Sequence, residues 1–138
     1  MSRISRIVAW LPALAWATFI FWLSAQSYPP TPGPEFPFKD KVGHLGLYVI
    51  LASLLLLPLR YRLRLPLPKA AVLAILLTSA YGASDEFHQR FVPRRTCDVW
   101  DWAADTTGGI VAAAACYAYE SCRSQRANRA APRATPPP

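Results

Sequence analysis

Val42–Leu59 reads VGHLGLYVILASLLLLPL, eighteen residues in which His44 is the single clearly ionisable side chain. About twenty apolar residues in a helix cross a hydrocarbon layer about 30 Å thick, and this stretch comes close to that length. Three more stretches of the same kind lie around it. Ile7–Ala25 runs nineteen residues without a charge. A third starts at Ala70, stays uncharged through Ser84 and continues into the polar run Asp85–Arg90, so that its last turn carries Asp85 and Glu86. The fourth, from Val99 to Tyr119, holds Asp101 and Asp105 in its first two turns. Gly108, Gly109 and Ala112 to Ala115 then offer a small-residue surface for close helix packing. The expected fold is all-α, a bundle of four transmembrane helices at about 7–25, 42–59, 70–88 and 99–119. One membrane domain then spans residues 1–122, and the basic, proline-ended tail 123–138 is expected to be disordered.

Composition agrees with that reading. Apolar residues make up 53% of the chain and charged ones 17%, below the roughly one quarter of a typical soluble domain. A net charge of +7 raises the question of nucleic acid, but the basic residues sit between apolar stretches and form no nucleic-acid motif. Nucleic acid is therefore set aside as a partner. Arg3 and Arg6 before the first stretch would also suit a signal peptide. The length of that stretch and the bulky Trp22 and Leu23 argue instead for a retained anchor. Arg3, Arg6, Arg60, Arg62, Arg64, Lys69, Arg123, Arg126, Arg129 and Arg133 fall on one side of the implied bundle, with Glu120 as the only acid. The other side has five basic residues and seven acids. The positive-inside bias then places both termini in the cytoplasm, for a multi-pass protein of the cytoplasmic membrane. Pro29, Pro30, Pro32, Pro34 and Pro37 make the first outer loop a stiff, extended strap. Cys97, Cys116 and Cys122 have no CxxC spacing, and their odd number forms no closed disulfide framework.

That topology collects residues which chain order scatters. Asp40, Lys41 and His44 open the second helix, and Asp85, Glu86, His88 and Gln89 close the third at the same level. Arg94 and Arg95 lie in the outer turn, and Asp98, Asp101 and Asp105 open the fourth helix. Lys41, His44 and Tyr48 are three and four apart and share a helix face, as do Asp98, Asp101 and Asp105. A carboxylate among lipid tails costs on the order of 2.5–3.5 kcal/mol on insertion scales, so these stripes should turn inward to one another. Simpler roles compete. Asp40 and Asp98 suit helix N-caps, Arg90 and Arg94 suit loop charges, and Glu86, Arg95 and Asp101 suit an internal salt-bridge lock. No HExxH or paired ligand spacing supports a metal site, even with His44, His88 and a carboxylate at one level, and no cofactor is expected.

The same residues carry a family resemblance. Asp40-Lys41-x-x-His44-x-x-x-Tyr48 resembles the motif opening the second helix of VanZ-like membrane proteins. Tyr81-Gly82 followed by Asp85-Glu86-Phe87-His88-Gln89 and Val92-Pro93-Arg94-Arg95 is similar to that family's second block, and Asp101-Trp102-Ala103-Ala104-Asp105-Thr106-Thr107-Gly108 to its third. The match covers about residues 40 to 110, and the joint spacing of three blocks is specific. Many members carry glycine where this chain has Arg94, and asparagine where it has Asp105. The resemblance implies a bacterial cell-envelope protein of the kind associated with glycopeptide resistance, to teicoplanin in particular.

Three functions follow as expectations. The first is binding or protection of a lipid-linked or lipoglycopeptide ligand by Lys41, His44, Tyr48, Glu86, Gln89, Arg95, Asp101 and Asp105, with Arg95 offering a phosphate its planar fork of donors. The second is a membrane enzyme acting on a lipid-linked envelope precursor, with Glu86 or Asp101 as general acid or base and His44 as proton shuttle. No recognisable nucleophile–base set accompanies them. The third is a structural partner of a larger membrane complex. Membrane lipids are partners in every case, and a transport role would require a homo-oligomer, because four short helices leave little room for a path.

Overall fold

A computed structural model describes residues 7–30, 33–34 and 36–130. Among the described residues there are four α-helices and no strand: α1 Leu11–Ser24, α2 Lys39–Leu57, α3 Leu67–Gln89 and α4 Val99–Ala130. Arg3 and Arg6, Pro32 of the strap and the final residues 131–138 lie outside the described residues.

Prolines set several boundaries. Pro12 has no N–H to donate, and α1 starts at Leu11 and runs 14 residues; Ile7 and Val8 before it are also helical, with a turn at residues 9–10 between. At 1.5 Å per residue, Leu11–Ser24 is about 21 Å long. Pro58 ends the regular bonding of α2, and the chain continues as a wider π-helical turn, Pro58–Arg62, in which the Leu63 amide bonds back to the Pro58 carbonyl at 2.9 Å. Pro66 and Pro68 bracket the start of α3. The fourth helix extends past Tyr119 and past the domain boundary at Cys122, reaching Ala130. Its extension, Ser121–Ala130, contains arginine, glutamine and alanine and no proline to stop it.

α4 is the central helix, packed most extensively on α2 and next on α3. Glycine permits the close approach. A Cβ at Gly108 would stand 2.9 Å from the Leu45 carbonyl oxygen and the Val49 amide nitrogen, both backbone atoms of α2. Ala112 and Ala113 continue that buried stripe, whereas Ala114 and Ala115 face outward. Away from the polar cluster, Ala52, Leu56, Leu59, Ala70, Ala74 and Ala112 form an apolar core with half-buried Cys116 against it. Long-range bonds tie α1 on, among them those from Trp16 Nε1 to the Leu47 carbonyl (2.9 Å) and from the Tyr81 hydroxyl to the Ala17 carbonyl (2.6 Å). A bidentate pair from Arg60 to Glu120, at 2.8 and 2.9 Å, closes the bundle at the π-turn end.

Polar side chains are buried beside that core, while large apolar ones are exposed. Ser24, Thr78, Asp85, Glu86, Gln89, Asp101 and Asp105 are buried, while Val42, Ile50, Leu57, Val72, Leu76 and Ile110 are exposed. Water would favour the opposite arrangement, and an apolar surround favours this one. Two segments, Lys39–Arg62 and Leu67–Gln89, are long and apolar enough to cross a membrane by length and composition.

The backbone contact at Gly108 gives a direct test. Gly108→Ala must push α2 away from α4 and should cost about 1–3 kcal/mol, the usual penalty of overpacking. In detergent its Tm should fall by several degrees, while Ala114→Leu on the outward face should match the wild type. Equal Tm values for Gly108→Ala and wild type would refute the close approach.

Candidate functional site

The polar residues meet where α2 begins, α3 ends and α4 begins. Helix geometry builds the contact as two rungs between α2 and α4. Lys41, in the first turn of α2, donates from Nζ to Asp101 Oδ1 and Asp98 Oδ2 at 2.9 Å each, and to Asp40 Oδ2 at 3.1 Å. One turn deeper, His44 Nδ1 lies 2.9 Å from Asp105 Oδ1. Asp105 is fully buried and His44 nearly so. A further turn on, Tyr48 is fully buried, its ring almost parallel to that of His44 with centroids 6.4 Å apart. The spacing of Lys41, His44 and Tyr48 therefore brings all three to one interior face.

α3 supplies the floor. Glu86 Oε2 accepts the Asp98 amide at 2.8 Å and Oε1 accepts Gln89 Nε2 at 3.3 Å, which ties the end of α3 to the start of α4. Gln89 also donates to Asp85 Oδ2 at 3.2 Å, and that oxygen accepts the Ser24 hydroxyl of α1 at 2.6 Å. Gly82 makes room for Asp105: a Cβ there would stand 2.6 Å from Asp105 Oδ2. A shallow depression of about 530 Å³ reaches the cluster, lined by Glu86, Asp98, Trp100 and Trp102 among others.

Asp98 acts as the N-cap of α4, its Oδ1 accepting the Trp100 amide at 2.9 Å. That bond, with Lys41, holds its carboxyl below the usual aspartate range. Asp40 does not cap α2. It lies inside the first turn, and the residue before the helix, Phe38, gives no side-chain cap.

Lys41, Glu86, Gln89 and Asp101 thus form one hydrogen-bonded group with Asp98 as its bridge, and His44 and Asp105 form a separate pair one turn deeper. Lys41 takes the place of Arg95 as the partner of Asp101, because the first turn of α2 faces the first turn of α4 directly. Arg95 makes no ion pair among the described residues, and its Nε is buried without a partner. The preceding Arg94 has φ +66°, the left-handed region that favours glycine. An L side chain there costs about 1–2 kcal/mol. The Arg94 guanidinium lies 4.9 Å from the Tyr28 ring centre, a contact that offsets part of this.

His88 is elsewhere, 4.6 Å from the Phe21 ring and apart from His44. The group that does bring metal-type ligands together is His44, Glu86 and Asp101, whose ligand atoms all lie within 4.8 Å of one another. Sequence reasoning passed over Asp85 and Ser24 as site residues. Asp85 and Gln89 are four apart and lie on one stripe, so Asp85 was legible, whereas nothing in the sequence pairs Ser24 with it.

Three comparisons bear on kinship. The family model described as VanZ/LLP1 matches residues 8–120, most of the chain. No match was found among curated proteins or among solved structures.

The Lys41 rung predicts strong coupling. Lys41→Met leaves Asp101 without its cation and should cost about 2–3 kcal/mol, less than the 3–5 of a fully buried pair because Lys41 is partly exposed. Asp101→Asn in the same chain should recover part of that loss. Thermal unfolding of the two single variants and the double variant in detergent reads it. Strictly additive losses would show that the rung is not an energetic unit.

Proposed function

This chain belongs to the VanZ/LLP1 family, and on that premise we propose a multi-pass protein of the cytoplasmic membrane that binds an anionic, lipid-linked envelope ligand at its polar end. All four helices cross the bilayer in this reading, with both termini cytoplasmic and the polar end outward. The charge count supports the orientation: ten basic residues fall in the segments that this topology assigns to the cytoplasm and five in those it assigns outside. The inside-out polarity supports the membrane setting, since buried acids and exposed aliphatic side chains suit lipid far better than water.

The observation that carries the ligand reading is Arg95. Its guanidinium makes no ion pair among the described residues, its Nε is buried and unpartnered, and it belongs to the same connection between α3 and α4 as Asp98. Its planar fork fits a phosphate. Lys41 is already held by three carboxylates and serves as structure rather than as a clamp. Ligands of this chemistry include a phosphorylated lipid-linked precursor and an amphipathic glycopeptide carrying an acidic group. A second reading, acid–base catalysis on such a precursor, draws on the His44–Asp105 bond, which orients an imidazole as catalytic carboxylates do.

Two measurements check the proposal. Mass spectrometry of lipids co-purified with the wild type should find a phosphorylated envelope lipid that is at least tenfold depleted from Arg95→Ala and from Arg95→Lys. Identical lipid complements would overturn the ligand reading. For topology, Arg64→Cys on a cysteine-free background should resist an impermeant thiol reagent in intact cells and react after permeabilisation. Labelling in intact cells would reverse the orientation.

A further inference from the structure

Four carboxyl side chains, Asp85, Glu86, Asp101 and Asp105, are buried at the polar end. The basic groups bonded to them are Lys41, which is shared with the more exposed Asp40 and Asp98, and the imidazole of His44. Buried charge of one sign demands compensation by protons or by a cation. The arrangement of the ligand atoms points to the cation. We propose that His44, Glu86 and Asp101 bind one divalent metal ion of the zinc or manganese class.

The geometry argues this in three steps. Ligand atoms around a tetrahedral ion with bonds of about 2.0–2.2 Å stand about 3.4 Å apart. The three atoms here already lie within 4.8 Å of one another, so small side-chain rotations close the set. Next, Asp105 holds His44 by Nδ1, which leaves Nε2 as the ligating nitrogen and fixes the ring. A carboxylate on the far nitrogen of a metal-bound histidine is the usual outer partner in such sites. Finally, Asp105 Oδ2 is buried with no hydrogen-bond partner, in a residue that is fully buried. A cation on the imidazole strengthens the one bond Asp105 does make, and thereby stabilises its charge. One nitrogen and carboxylate oxygens, with no thiolate in the set, select zinc or manganese over copper(I).

Three protein ligands leave a coordination position open, and one of the three, Glu86, also lines the surface depression beside Asp98. A metal there would present positive charge to an anionic headgroup that the acids alone repel. This last consequence rests on the ligand reading given above, whereas the metal site itself does not.

The test uses the full chain purified in detergent with its tag removed, dialysed against Zn²⁺ and separately against Mn²⁺, then assayed by mass spectrometry of the metal. The wild type should retain about one ion of at least one metal per chain. Glu86→Gln, Asp101→Asn and His44→Ala should each lose at least tenfold, while Asp40→Asn and His88→Ala keep it. A chelator should lower the Tm of the wild type and leave that of Glu86→Gln unchanged, so the site can be scored even if His44→Ala does not fold. Wild type with substoichiometric amounts of both metals, or Glu86→Gln retaining a full ion, would overturn the proposal. Stoichiometric metal with an unaltered lipid complement in Arg95→Ala would uphold the metal site and reject the ligand reading.

Discussion

The Lys41 ammonium, held between Asp98 and Asp101, is the contact on which the polar end depends. It allows acids to sit in the first turn of α4 while that turn lies against another apolar helix. The second rung, His44 to Asp105, exists because the first has brought the two helices into register. Glu86 then binds the amide of Asp98 and so ties α3 to the same junction. Gly108 and Gly82 are the steric counterpart: the rungs need short side chains to reach, and only the missing Cβ atoms let the backbones come close enough. Electrostatics sets the register, and glycine sets the distance.

Much of this was legible in the chain. Four apolar stretches gave the helices, and spacings of three and four placed Lys41, His44 and Tyr48 on one face and Asp98, Asp101 and Asp105 on another. Inward convergence followed from the cost of acids among lipid tails. The identity of the partners was not legible, because facing requires the rotation of one helix against the next. Arg95 and Lys41 are equally plausible partners of Asp101 by chain position, and only the packed structure chooses Lys41. The ends of the helices were also hidden. A turn at residues 9–10 interrupts the first stretch and Pro58 opens a π-turn, local backbone effects that hydropathy does not register.

The loop after α3 shows how a departure from a family pattern is accommodated. Arg94 occupies a left-handed backbone position that suits glycine, the residue that the family resemblance implies there. Contact with the Tyr28 ring gives the side chain a place to rest and draws the first loop toward the polar end. Asp105 is a second departure. An asparagine there would keep an oxygen for His44 and place an amide near Gly82, so the bond can survive without the charge.

The placement of acids on α4 and their partners on α2 has a consequence for biogenesis. In the multi-pass reading, a helix bearing both Asp101 and Asp105 near one end carries two penalties if it partitions alone, each smaller than the roughly 2.5–3.5 kcal/mol of a carboxylate at a helix centre. Lys41 and His44 precede it in the chain by some sixty residues and leave the ribosome first. The later segment therefore finds its neutralising groups already in position, and its entry is an act of association as much as of solvation. In that reading translation order becomes part of the folding mechanism, with the early helix as a template for the late one.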